Sequence, residues 1–228
     1  METAVRLGIA DSITLEAAEA VKDADIVMIC SPIGTYKEVM GKIAHVLRPG
    51  TILTDVGSVK AAVVRDLNPT LPEGVYLVPA HPVAGTEHSG PEAGFSELFE
   101  GRWCVITPPI NTNQSAIEKL ANFWRAAGSN VEFMDPDHHD QVMAMTSHLP
   151  HLIAYTIVGT AMDLERSLMD EVIKYSAGGF RDFTRIAASN PTMWRDVLLK
   201  NKHAVLEMLQ RFNEDLTVLQ RAIRWDEG

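Results

Sequence analysis

From Ala24 to about Met134, apolar residues come in short β-branched runs separated by polar turns and by stretches of helical spacing. Residues 26–30, 52–54, 75–78 and 104–106 read as buried strands of a parallel sheet, bounded by Gly, Pro, Asp or Ser. Residues 131–134 read as a last strand. Between the first two strands, residues 36–47 have helical spacing, and Pro49-Gly50 stops the pattern. Residues 113–127 predict a second helix with Ile117, Leu120, Phe123 and Trp124 on one side, ended by Gly128. Strands alternating with helices argue for an open α/β sheet.

Beyond Asp135-Pro136 the strand pattern disappears. Asp135 as N-cap and Pro136 at the first helical position predict a helix running past Met162. Pro150 would kink it, because its ring clashes with the Thr146 carbonyl and removes one hydrogen bond. Asn190-Pro191 repeats the start signal before one long helix over 192–223. Val197, Leu198, Val205, Leu206, Leu209, Phe212, Leu216 and Leu219 give that helix a broad apolar face. So wide a face on about 90 residues predicts a homodimer interface in the helical part, against a self-contained bundle as the alternative. The expected organisation is an α/β domain over 1–136 and an all-helical domain over 137–228.

Composition narrows the partners. Twenty Lys and Arg against thirty Asp and Glu give a net charge of −10, which repels phosphate backbones and anionic lipid. Nucleic-acid and membrane partners are therefore not expected, while small anionic substrates remain open. No apolar stretch reaches the roughly 18 residues of a membrane span, and no signal-peptide pattern follows Met1. The cytoplasm is the default location. Cys30 and Cys104 lie in apolar runs and read as buried free thiols.

In an open parallel sheet, ligands bind beyond the carboxyl ends of the strands. Three predicted strands end in polar groups: Ser31-Pro32 followed by Ile33, Asp55 through Ser58, and His81-Pro82. Pro82 holds His81 on extended backbone, so this histidine is the leading candidate for function. Gly85 and Gly90 have the glycine spacing of a P-loop, but Pro91-Glu92 stands where Lys-Ser/Thr is required, which excludes it. In the helical half, His148 and His151 flank Pro150, and Asp140 lies eleven residues before His151, on the same helix face. A kink beside two histidines marks a ligand cavity more readily than a metal site, since this spacing fixes no metal geometry. Arg181 and Arg185 sit at i,i+4, as a solvated helix face or as a bidentate carboxylate holder. Trp194 reads as packing at a helix start or as a pocket wall.

Five ordered segments carry a resemblance. HPVAGTEHSG at 81–90, SHLPH at 147–151, GGFRDFTR at 178–185, NPTMW at 190–194 and DVGSVK at 55–60 resemble the prephenate/arogenate dehydrogenase family across essentially the whole chain. The resemblance implies a Rossmann-type domain followed by a helical dimerisation domain. It implies hydride transfer from a cyclohexadiene ring to NAD or NADP, with loss of the ring carboxylate as CO2, in tyrosine biosynthesis. His81 would accept the proton of the ring hydroxyl and Ser58 would steady that hydroxyl. Arg185 would hold the ring carboxylate. His151, Glu87 and Trp194 would shape the site, with Asp140 near its mouth. Ser31, Pro32, Ile33, Asp55, Ser58 and Pro82 would meet the cofactor, and no metal is expected.

The sequence holds no G-x-G-x-x-G turn. By the resemblance, that turn, the first strand and the acidic end of the second would precede residue 1, some thirty-odd residues by the size of a βαβ segment. Two functions follow: an active dehydrogenase, or a catalytically silent chain that dimerises or binds substrate without turnover. A β-hydroxyacid dehydrogenase or imine reductase would share the architecture but not the paired HPxAGTE and SHLPH segments.

Overall fold

The computed structural model describes residues 2–85, 90–164 and 166–226. Two short helices, α1 (Glu2–Arg6) and α2 (Ala17–Val21), precede the sheet. Strands β1 (Ile26–Ile29), β2 (Ile52–Asp55) and β3 (Tyr76–Leu77) pair in parallel, in that order. A second ladder joins β4 (Ala80–Pro82), β5 (Trp103–Ile106) and β6 (Asn130–Phe133). Here the uniformly parallel expectation fails, because β4 runs antiparallel to β5, which is itself parallel to β6. The extended run through residue 82 pairs first with β2 and then with β5. Val78 still donates to the Leu53 carbonyl (2.9 Å), but Pro79 has no N–H, and its carbonyl instead accepts from Thr107 (2.9 Å).

Adjacent residues of one strand serve opposite faces. Leu53 joins a core with Ile29, Met40, Ile43, Val63 and Leu67, contributed partly by α3 (Tyr36–Ile43) and α4 (Ala61–Leu67). Ile52 faces the other core, with Ile106 and with Leu120 and Trp124 of α5 (Gln114–Ala126). Asn113 caps α5 by accepting from the Ser115 and Ala116 backbone, and Gly128 beyond its end has φ of +90°.

The helical part begins at α6 (Pro136–Met143), with Asp135 accepting from the backbone N–H of Asp137 and His138. A π-helical turn, Ala144–His148, links it to α7 (Leu149–Met162). The wider turn accommodates Pro150 without breaking the helix, so the predicted defect takes the form of a π-bulge. Then come α8 (Arg166–Lys174), α9 (Gly178–Thr184), a 3-10 turn Arg185–Ala188 and α10 (Pro191–Lys200). The single helix expected over 192–223 is divided at Asn201, and α11 (Lys202–Arg224) follows. Val197 and Val205 turn inward, whereas Leu206, Leu216 and Leu219 are exposed.

The two parts are packed together. Trp194 and Val197 of α10 enter the β1–β2 core. A methyl group on Gly34, in the turn after β1, would fall 2.3 Å from Asp196 Oδ2, so the Asp196 carboxylate on α10 packs directly over this turn and would have to swing aside for any larger residue. Cys104 is buried as expected, but Cys30 is exposed, because it lies one residue past the end of β1. Among the described residues, no helix is long and apolar enough to cross a membrane.

Candidate active site

The seam between sheet and helices holds a chain of buried side chains. His81, in β4, is 8% exposed, and its Nδ1 lies 2.9 Å from Nε2 of His139 on α6. The two rings meet edge to face with centroids 5.1 Å apart. His139 Nδ1 lies 2.8 Å from Asp140 Oδ1. Asp140 also accepts from the backbone N–H of Lys60 (2.7 Å) and Ala61 (3.0 Å), which ties α6 to the start of α4. Asp140 is thus buried beneath the site and not at its mouth, because its carboxylate is spent on these donors. Burial holds the His81 pKa well below the ordinary imidazole value, and charge on His139, Lys60 or His148 pushes it the same way.

His139 was not singled out from the sequence. The run Asp137-His138-His139-Asp140 was visible, but helical phase alone did not say which histidine turns inward. His139 is fully buried on the side shared with Met143, whereas His138 is exposed.

Lys60 lies fully buried under β4, where its Nζ donates to Asp55 Oδ2 (2.6 Å) and to the Ala80 carbonyl (2.7 Å). Asp55 Oδ2 also accepts from the Gly57 N–H (2.9 Å) and the Tyr36 hydroxyl (3.3 Å). Asp55 was expected at the cofactor, but its side chain is fully buried and joins β2 to the backbone bearing His81. It acts from beneath. Burial lowers the Lys60 pKa and the Asp55 charge opposes that fall.

The π-turn places His148 inside. Asn201 Nδ2 donates to the Asp140 carbonyl (2.7 Å) and to His148 Nδ1 (3.0 Å), so the break between α10 and α11 delivers an amide into the seam. Burial pushes the His148 pKa down to about 4; Asp140 and the Ser58 backbone oppose the fall, while His139 and His151 add to it. Ser58 is half-buried in the turn after β2. One helical turn on, His151 stacks on Trp194 and donates from Nδ1 to the Ser147 carbonyl (2.9 Å). Trp194 is therefore core packing that also backs His151.

Other expected residues lie on separate elements. Arg185 begins the 3-10 turn packed on α7, the helix that carries His151, and is exposed; Arg181 is also exposed. Glu87 lies outside the described residues. Ser31 Oγ lies 2.7 Å from Thr35 Oγ1 and Pro32 is exposed, but Ile33 turns into the core, so its side chain is not at the site's surface. Pro82 lines an apolar cleft of about 340 Å3 with Met28, Cys30, Val56, Ala84 and Phe123.

That cleft and the turns after β1 and β2 suit a flat, largely apolar ring such as a nicotinamide. Ser31, Pro32, Ser58 and Pro82 would meet it. The residues present fit this end of a dinucleotide, and no glycine-rich turn for the pyrophosphate occurs among them.

Comparison with known proteins bears on the same residues. A family described as "Prephenate dehydrogenase, nucleotide-binding domain" matches residues 1–133, and "Prephenate dehydrogenase, dimerization domain" matches 135–228. The chain belongs to the prephenate dehydrogenase family. It is 41% identical to the cyclohexadienyl dehydrogenase of Zymomonas mobilis, across 97% of this chain and 75% of that protein. It is 37% identical to the prephenate dehydrogenase of Bacillus subtilis, across 99% of this chain and 61% of that one. Its structure matches prephenate dehydrogenase from A. aeolicus in complex with hydroxyphenyl propionate and NAD+, with a TM-score of 0.90 and 38% identity. That match covers 99% of this chain and 78% of the other. This member of the prephenate dehydrogenase family thus has the Rossmann-type and helical domains that the five segments implied.

Proposed function

We propose that the chain carries the catalytic and substrate-binding part of an NAD(P)+-linked dehydrogenase that oxidatively decarboxylates prephenate and/or arogenate for tyrosine biosynthesis. The observation that carries this is His81: a buried imidazole kept uncharged at neutral pH, at the strand ends of a nucleotide-binding sheet, facing the helical domain. The identities to cyclohexadienyl and prephenate dehydrogenases and the likeness to a complex with NAD+ support it.

When bound, the nicotinamide supplies a hydride acceptor. His81 takes the proton of the ring hydroxyl as its oxygen becomes a carbonyl. The pair from the broken bond to the departing CO2 then completes the aromatic ring, and the ring oxygen recovers a proton. Burial lowers the His81 pKa, so at neutral pH the ring is uncharged and its lone pair is free to accept that proton. Ser58 orients the hydroxyl. Arg185 binds the ring carboxylate, and His151 on its Trp194 support borders the side-chain group of the substrate.

We also propose that the chain pairs with a second copy through the helical domain. The exposed Leu216, Leu219 and Ile223 of α11 and the description of the matching domain as a dimerization domain support this. Incubating the chain with prephenate or arogenate and NAD+ or NADP+ tests the activity. Absorbance should rise at 340 nm, and no rise with any of the four pairs would sink the reading for this chain.

A further inference from the structure

We propose that His139 and Asp140 are positioning residues that fix His81 as its Nδ1–H tautomer, so that Nε2 presents the lone pair that accepts the substrate proton. This rests on the reading of His81 as the base and adds what sets its protonation geometry.

Both oxygens of Asp140 already accept from backbone N–H groups, Lys60 to Oδ1 and Ala61 to Oδ2. An ionised carboxylate can only accept, so the imidazole nitrogen 2.8 Å from Oδ1 is the donor. Neutral His139, protonated on Nδ1, then has its lone pair on Nε2. That atom lies 2.9 Å from His81 Nδ1, which must therefore carry the hydrogen. The only lone pair left on the neutral His81 ring is on Nε2. Tautomer choice in a histidine is set by the bond its other nitrogen makes, and here that bond is made inside a fully buried contact.

The same chain serves the proton step. As the O–H bond of the substrate hydroxyl breaks, the proton forms a bond to Nε2 and the freed pair becomes the carbonyl π bond. The imidazolium then donates from Nδ1 to His139, and His139 donates to Asp140, so the new charge meets an aligned acceptor and a carboxylate at the end. The other groups facing His81 are the Lys60 cation beneath the strand, which opposes a lasting imidazolium, and His148 at the π-turn, which is uncharged at neutral pH.

The test is the protonation pattern of the His81 ring, read by nitrogen-15 correlation spectra of the labelled chain at neutral pH and assigned with His81→Asn. The expected pattern is Nδ1 protonated and Nε2 bare. His139→Leu should convert the ring to Nε2–H, while His139→Gln, whose amide oxygen can accept from Nδ1, should retain the original pattern. In assays with prephenate and NAD+, His139→Leu should lower kcat by roughly tenfold to a hundredfold, the usual scale for losing an orienting partner, with KM little changed. His139→Gln should recover most of that loss. An Nε2–H ring in the unmodified chain overturns the proposal even if no variant folds, and so does a tautomer indifferent to His139→Leu. If the tautomer is as described but His81→Asn keeps near-normal kcat, the base assignment fails instead.

Discussion

His151 and Trp194 stack nearly face to face, with ring centroids 3.6 Å apart and planes 20° from parallel. Trp194 is also packed into the core of the sheet domain, so one indole joins His151 of the helical domain to the sheet. Two separable effects follow from truncating it. Trp194→Ala should cost roughly 3–5 kcal/mol of stability in urea denaturation, the usual scale for a buried aromatic. Trp194→Phe keeps a ring beneath His151 and should cost only about 1 kcal/mol. If the stack orients His151, Trp194→Ala should also raise KM for the substrate well beyond Trp194→Phe. Equal KM values in two folded variants would confine Trp194 to packing.

Much of this was legible in the sequence, and what was missed has physical causes. Strand positions were readable because Leu53, Ile52, Ile106 and their neighbours are apolar on both faces. Strand direction was not, because only tertiary pairing shows that Pro79 passes the chain from β2 to β5. His81 stood out through Pro82 and its strand-end position. Its partner His139 did not, since two adjacent histidines on a helix differ only in which one faces inward. Asn201 looked like an ordinary position inside a long helix, and its role depends on meeting Asp140 and His148, 61 and 53 residues away in sequence. Asp55 and Ile33 stand at and just past strand ends, but their side chains turn into the interior, which a strand pattern does not show.

Lys60 and Asp55 form an ion pair with both side chains essentially inaccessible to water. Lys60→Met would leave the Asp55 charge buried without its partner, a change that costs roughly 3–5 kcal/mol. Lys60→Met combined with Asp55→Leu removes both charges and should recover a large part of that loss. Chemical denaturation of the single and double variants decides it. A double variant as unstable as Lys60→Met alone would mean that Lys60 contributes through the Ala80 carbonyl instead.

Acid should destabilise the chain before its carboxylates titrate. His148 has a pKa of about 4 when folded against an ordinary 6.5, and those of His81 and His151 are lowered as well. The unfolded chain therefore binds more protons than the folded one as pH falls below 6.5. Stability is full above that value and declines toward pH 4, by up to about 1.4 kcal/mol per pH unit for His148, with His81 and His151 acting in the same direction. Urea unfolding between pH 7 and 5 should show a falling midpoint, and His148→Gln should flatten the slope by up to one proton's share. An unchanged slope in that variant would show that His148 is not protonated preferentially on unfolding.

Arg185 and His81 should fail in different ways. A charged hydrogen bond to a carboxylate contributes about 1.5–3 kcal/mol, so Arg185→Gln should raise KM roughly tenfold to a hundredfold while kcat changes less. His81→Asn removes a proton acceptor needed in the transition state, so it should lower kcat strongly and leave KM near its starting value. A kcat collapse with unchanged KM in Arg185→Gln would move that arginine from binding to chemistry.

The outward residues of α11 decide the assembly. Leu216, Leu219 and Ile223 are 50%, 60% and 80% exposed in the single chain, although the same helix buries Val205 against its own neighbours. A helix that places large aliphatic side chains in water over its last three turns lacks a partner among the described residues of its own chain. A second copy covering this face would bury them. Sedimentation equilibrium should report a dimer near 50 kDa, twice the 25.1 kDa of one chain. Leu216→Glu with Leu219→Glu should shift it toward monomer while leaving far-ultraviolet circular dichroism unchanged, since neither residue supports the fold of its own chain. A double variant that remains a dimer would place the interface elsewhere on the helical domain.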